Sequence, residues 1–105
     1  MLHWLHVVGL PDPETEYQFA KPRRWKCDMA YPAYKVVIEC EGATWLGKNG
    51  RHTSGAGYAA DCLKYNEAGY LGWCVLRFTS AQIEYGNAAA MVLRTLRARG
   101  YGTES

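Results

Sequence analysis

Two short segments joined by a tight turn constrain this chain more than any other feature: Arg24–Ala30, then Pro32-Ala33-Tyr34, then Lys35–Glu41. Side chains alternate across a strand, so Lys26 and Asp28 share one face of the first segment, and Glu39 and Glu41 share one face of the second. Pairing Tyr31 with Val36 across the turn sets Asp28 opposite Glu39 and Lys26 opposite Glu41. The same register predicts Cys27, Met29, Ile38 and Cys40 on the reverse, apolar face. Like charges directly opposite one another destabilise a sheet unless a proton or a cation intervenes. Carboxylate oxygens are hard ligands, which favours Mg²⁺ or Mn²⁺ over a thiolate-loving ion. The plain alternative is a solvated hairpin whose acids stand in water beside Lys26 and Lys35.

A chain of 105 residues, 49% of them hydrophobic, is long enough for one core and has no room for a second, so residues 1–105 are expected to form a single domain. The net charge of +2 says little about polyanions, but its distribution says more. Lys21, Arg23, Arg24, Lys26, Lys48 and Arg51 bracket the acidic hairpin, so a polyanion could be gripped around a metal-neutralised centre. Arg94, Arg97 and Arg99 read as ordinary surface charge. Cys27, Cys40, Cys62 and Cys74 form no Cys-x-x-Cys pair and have no histidine at zinc-finger spacing, which argues against zinc. They suit buried, reduced thiols in a cytoplasmic protein, although the register also leaves a Cys27–Cys40 disulfide open. The opening Met1–Leu10 is apolar, lacks a basic start and is too short for a membrane span, so it is expected to be a packing segment.

Along the rest of the chain, Pro11-Asp12-Pro13 predicts a break, with Asp12 capping a brief helical turn that contains Glu14 and Glu16. A first strand is expected over Tyr17–Ala20. After the hairpin, residues 47–57 hold four glycines among Lys48, Asn49, Arg51, His52, Thr53 and Ser54, the composition of a long loop able to contact phosphate. Tyr58–Leu71 reads as a helix packed through Ala59, Cys62, Leu63 and Tyr70, with Asp61, Lys64 and Glu67 along one face. Trp73–Phe78, apolar on both faces apart from Arg77, reads as a central strand. Thr79 with Gln82 predicts a capping box, and Asn87 is expected to cap a last helix packed through Met91, Val92 and Leu96 and ending before Gly100. The expected fold is therefore α/β, a mixed four-stranded sheet flanked by helices.

A strand ending in Asp, a hairpin, and a strand reading Glu-x-(Lys, Glu or Asp) resembles the metal-binding core of the PD-(D/E)XK nuclease superfamily. The runs Arg24–Ala30, Val37–Gly42 and Gly72–Phe78 are similar to the branch related to very-short-patch-repair endonucleases, which includes small phage and prophage proteins. The likeness extends from Glu16 to Ile83. It implies a restriction-endonuclease-like core and Mg²⁺- or Mn²⁺-dependent hydrolysis of DNA, duplex or branched, with a homodimer required for cutting both strands. In that reading Asp28, Glu39, Glu41 and the backbone carbonyl of Cys40 hold the ion, and Glu16 answers to a helix-borne assisting Glu. Glu41 stands where the superfamily commonly has Lys. A carboxylate supplies no positive charge, so Lys64 or His52 is expected to fill that catalytic role. Arg24, Lys26, Lys48, Arg51 and Thr53 are expected to contact nucleic acid, and Arg51-His52-Thr53 resembles a loop segment of the branch. The rival from another class is a non-catalytic nucleic-acid-binding module on a degenerate nuclease fold.

Overall fold

The structure, a computed structural model, describes residues 1–21, 23–41 and 55–102. Its elements run α1 (Leu2–Val7), β1 (Glu14–Gln18), β2 (Lys26–Tyr31), a 3₁₀ turn (Pro32–Tyr34), β3 (Val36–Cys40), α2 (Gly55–Tyr70), β4 (Cys74–Phe78), α3 (Ser80–Glu84) and α4 (Asn87–Ala98). The strands form a mixed four-stranded sheet in the order β1-β2-β3-β4. The first three are antiparallel, and β4 returns parallel to β3.

The hairpin takes the expected register, with Tyr31 opposite Val36 and Met29 opposite Ile38. Proline at the start of the 3₁₀ turn fixes one dihedral, and Lys35 closes the turn in the left-handed region at φ 55°. Helices cover both faces of the sheet. On one, Met29, Tyr31, Val36, Ile38 and Phe78 pack against Leu5 of α1 and Ala88, Ala89, Val92 and Leu96 of α4. On the other, Ala30 and Val37 pack with Cys27, Phe19 and Ala68 of α2. Side chains as deeply buried as Ile38, Val92 and Leu96 each contribute about 1.5–3 kcal/mol on leaving water.

Several expectations change. Pro13 is followed by strand, not helix: β1 begins at Glu14 and carries Glu16 exposed, at φ 49°. An outer strand gains its hydrogen bonds from one neighbour and needs no apolar alternation on its open face, which is why an acidic run serves there. Cys27 and Met29 pack in different clusters. Strict alternation fails between them, where β2–β3 pairing stops at Met29↔Ile38. Among the described residues β4 ends the sheet, so it is an outer strand and not a central one. In α2, Leu63 and Tyr70 are exposed and Ala68 makes the buried contact. The Thr79/Gln82 capping box is present as expected. Gly86, not Asn87, is the N-cap of α4, at φ 84°, a conformation that strains any other L residue, and a Cβ there would also crowd Trp4 at 3.2 Å. Met91 faces out while Val92 and Leu96 point in.

Arg99, just past α4, ties the sheet from below: its Nη1 donates to the carbonyls of Tyr34, Lys35 and Gly72 at 3.1, 3.3 and 3.3 Å. These carbonyls stand just before β3 and β4. Arg99→Ala is expected to lower unfolding free energy by about 1.5 kcal/mol in urea denaturation, where the range for a typical hydrogen bond meets that for one to a charged group. An unchanged midpoint would mean that the three contacts carry no net energy.

Candidate functional site

The β2–β3 hairpin and α2 bring their polar residues together on the α2 side of the sheet. Where backbone pairing ends, Asp28 continues the link with its side chain: Oδ2 accepts from the Cys40 N–H at 2.7 Å. Glu39 lies in the same register, is 9% exposed, and accepts at Oε2 from Lys64 Nζ at 3.0 Å. Lys64 also donates to the Lys26 carbonyl at 2.7 Å, so one ammonium spans the entry of β2 and the exit of β3. Lys64 thus reaches across to the sheet, past the helix-face acid Asp61 expected beside it.

Glu39 is also the ladder partner of Arg77 in β4. Arg77 donates through Nε to Glu41 Oε2 at 2.9 Å and stacks on the ring of Tyr65, 4.5 Å from its centroid. Asp28 and Glu39 therefore stand one step beyond the last ladder pair, Met29↔Ile38, with Lys64 reaching Glu39 from α2, while Glu41 is engaged by Arg77. Arg24 and Lys26 are exposed at the start of β2, and Arg23 stacks on Trp25 at 4.7 Å. His52, Lys48, Arg51 and Thr53 lie outside the described residues.

Titration of the cluster follows from burial and charge. Burial raises the Glu39 carboxyl above its ordinary value, Lys64 opposes this by hydrogen bond and charge, and the nearby carboxylates of Asp28 and Glu41 add to the rise. Burial, with Glu39 next in size, pushes the Cys27 thiol up to about 11. Cys40 is also pushed up to about 11, by burial and then Asp28. Both thiols are therefore protonated and inert at neutral pH, and all four cysteines are free. The Tyr65 hydroxyl is raised well above its usual range by burial, and the hydrogen bond to Glu41 raises Arg77.

As a test for a divalent ion, the donor set gives a specific answer. Among the described residues no group of three or more His, Cys, Asp or Glu side chains stands where it could hold a metal ion. Asp28 and Glu39 nevertheless supply two hard carboxylates close enough to raise the pKa of Glu39. Magnesium ordinarily takes one or two protein carboxylates and completes its octahedron with water and substrate phosphate, so two acids fit it without a full protein cage.

Beside the cluster, α2 and Arg77 border an open cleft of about 430 Å³ lined by Tyr58, Asp61, Cys62, Tyr65, Asn66 and Arg77. Sequence reasoning passed over Tyr58 and Tyr65. The available signal was their spacing of seven, which places two aromatics on one side of a helix, facing the only charge in an otherwise apolar strand.

Compared with protein families, curated proteins and solved structures, the chain matches none. Its class is mixed α/β with a four-stranded mixed sheet flanked by helices. No helix among the described residues is long and apolar enough to cross a membrane.

Proposed function

We propose that the chain is a Mg²⁺- or Mn²⁺-dependent endodeoxyribonuclease with a restriction-endonuclease-like core. The observation that carries this reading is the meeting of Asp28, Glu39 and Lys64, from three separate elements, with Lys64 Nζ 3.0 Å from Glu39 Oε2. Titratable groups shifted by burial and by specific charge partners concentrate at functional sites. The element order, helix, three antiparallel strands, helix and a parallel fourth strand, is similar to the one expected from the resemblance and supports this reading.

Asp28 and Glu39 are the residues that would hold the ion, with the carbonyl of Cys40 beside them in the chain. A bound dication would acidify an attacking water and stabilise charge on the phosphate. The chain's own contribution is positioning and charge. The Cys40 N–H fixes one oxygen of Asp28, so that carboxylate is oriented before substrate arrives. Lys64, held by the Lys26 carbonyl and Glu39, brings positive charge next to the acids and fills the role that Glu41 cannot. Glu41 in turn holds Arg77 through Nε, which places a second cation beside the acids for a phosphate oxygen to meet. Free, protonated thiols fit a cytoplasmic setting.

One observation favours the rival reading of a non-catalytic nucleic-acid-binding module. Asp28 has the Cys40 N–H, Glu39 has Lys64 and Glu41 has Arg77, so each acid has a partner without an ion. Calorimetry with Mn²⁺ and a plasmid-nicking assay with and without chelator separate the two. Nuclease function requires Mn²⁺ binding that Asp28→Asn weakens at least roughly tenfold, together with nicking that chelator abolishes. DNA binding without heat from Mn²⁺ would establish the rival.

A further inference from the structure

The cleft between α2 and Arg77 has no role in holding an ion, yet its walls have a definite chemistry. Tyr58 and Tyr65 offer aromatic surface, Tyr58 being 65% exposed. Asp61 and Asn66 contribute a carboxylate and an amide between and beside them. Arg77 closes the opposite side with its guanidinium over the Tyr65 ring, 4.5 Å from the centroid. A volume of about 430 Å³ is at the small end of the range for small-molecule sites, roughly 300–1,000 Å³. Aromatic faces, hydrogen-bonding groups of both kinds and a cation at the rim together match a heterocyclic base joined to a phosphate.

Position narrows the choice of ligand. Arg77 is the ladder partner of Glu39, and Tyr65 follows Lys64 in the chain, so the cleft shares a wall with the acidic cluster. A phosphate beside Glu39 and Lys64 would have Arg77 as its next cation, and a base attached to that phosphate would enter the cleft. Inside a duplex, a base is stacked and paired and reaches no such pocket.

We infer that the cleft lined by Tyr58, Asp61, Tyr65, Asn66 and Arg77 receives an unpaired nucleobase, which makes the substrate a single-stranded or splayed DNA strand and not an intact duplex. The identity of the neighbouring phosphate as the one cleaved rests on the nuclease reading. Base capture itself does not.

The test is fluorescence anisotropy of the wild-type chain in chelator, with a short labelled single strand and the same sequence as a duplex. The single strand binds more tightly, and Tyr58→Ala weakens it by roughly tenfold, the usual loss of a base-stacking aromatic, leaving duplex affinity unchanged. Asn66→Ala weakens the single strand in the same selective way. An abasic residue walked along the strand finds one position at which Tyr58→Ala no longer has an effect. Tyr58 is largely solvent-exposed, so thermal melting of its alanine variant stays at the wild-type value. Absence of single-strand binding overturns the inference, as does a Tyr58→Ala loss that is nil or equal for strand and duplex. Displacement of the strand by a nucleoside monophosphate at lower concentration than the strand itself also overturns it, by reassigning the cleft to a free nucleotide. Hydrolysis plays no part in these measurements. Failure to cleave with any metal, alongside an intact Tyr58 effect, sinks the nuclease reading alone. Cleavage of duplex that ignores Tyr58 sinks this one.

Discussion

Glu39→Gln loses metal-dependent DNA nicking by about a thousandfold, with the fold retained, if the acidic cluster does the chemistry proposed for it. Glutamine keeps the shape of the side chain and still accepts from Lys64, but it gives up the negative charge that a hard dication requires. Retention of the fold follows from the energetics of Glu39. Burial raises its pKa above the ordinary 4.5, so the native state keeps its proton to a higher pH than the unfolded chain does. The stability that goes with the bound proton is fully present below pH 4.5 and is lost as pH rises through the native midpoint. Glu39→Gln removes that slope. Urea unfolding followed from acid to neutral pH therefore shows wild-type stability declining through that window where the variant stays flat at this site. Nicking by Glu39→Gln within tenfold of wild type would end the catalytic assignment, and a parallel pH slope in both proteins would remove the burial argument.

Lys64→Met has the second large effect, and it acts on both stability and chemistry. The ammonium is the cation that accompanies Glu39, and the two side chains are 14% and 12% exposed. Removing one partner of such a pair leaves the other charge poorly solvated, a loss of about 3 kcal/mol. The titration midpoint of Glu39 also moves upward, because Lys64 is the group that lowers it. Carbon-detected NMR of the Glu39 carboxyl reads that midpoint directly, and denaturation reads the energy. Nicking falls about a hundredfold, the scale for losing one electrostatic contact to a transition state. Lys64→Arg is the control: it restores the charge and most of the stability, yet its planar fork is a poor substitute for a compact ammonium. A midpoint unmoved in Lys64→Met would show that the contact with Glu39 is too weak to matter in solution.

The hairpin could be read from the sequence because its constraints are local. Proline in the turn and alternation on both strands agree on one register, and the sheet has it, with Tyr31 opposite Val36. Asp28 and Glu39 followed from that register, as did the Thr79/Gln82 cap from a spacing of three. What was not legible depended on contacts across the chain. Helix spacing alone offers Lys64 a neighbour in Asp61; only the resemblance named it, beside His52, as a cation for the acids, and its contact with Glu39 depends on how α2 packs on the sheet. The same limit applies to Arg77, whose single charge in an apolar strand was visible while its partners Glu41 and Tyr65 were not. Cys27 shows a different limit. Beyond Met29 the strand β2 is paired to β1 alone while its β3 side is held by the Asp28 side chain, and there the period of two does not carry over to the packing of Cys27. An apolar composition likewise led β4 to be placed at the centre of the sheet, when the core on its two faces is supplied by α2 and by the terminal helices.

Arg99 gathers the carbonyls that precede β3 and β4, at the end of the parallel pair farthest from Glu39 and Cys40. The parallel pair is thus held at its first end by one guanidinium and at its far end only by its own ladder through Glu39↔Arg77 and Cys40↔Phe78, so loss of Arg99 is expected to loosen the end away from the acidic cluster first.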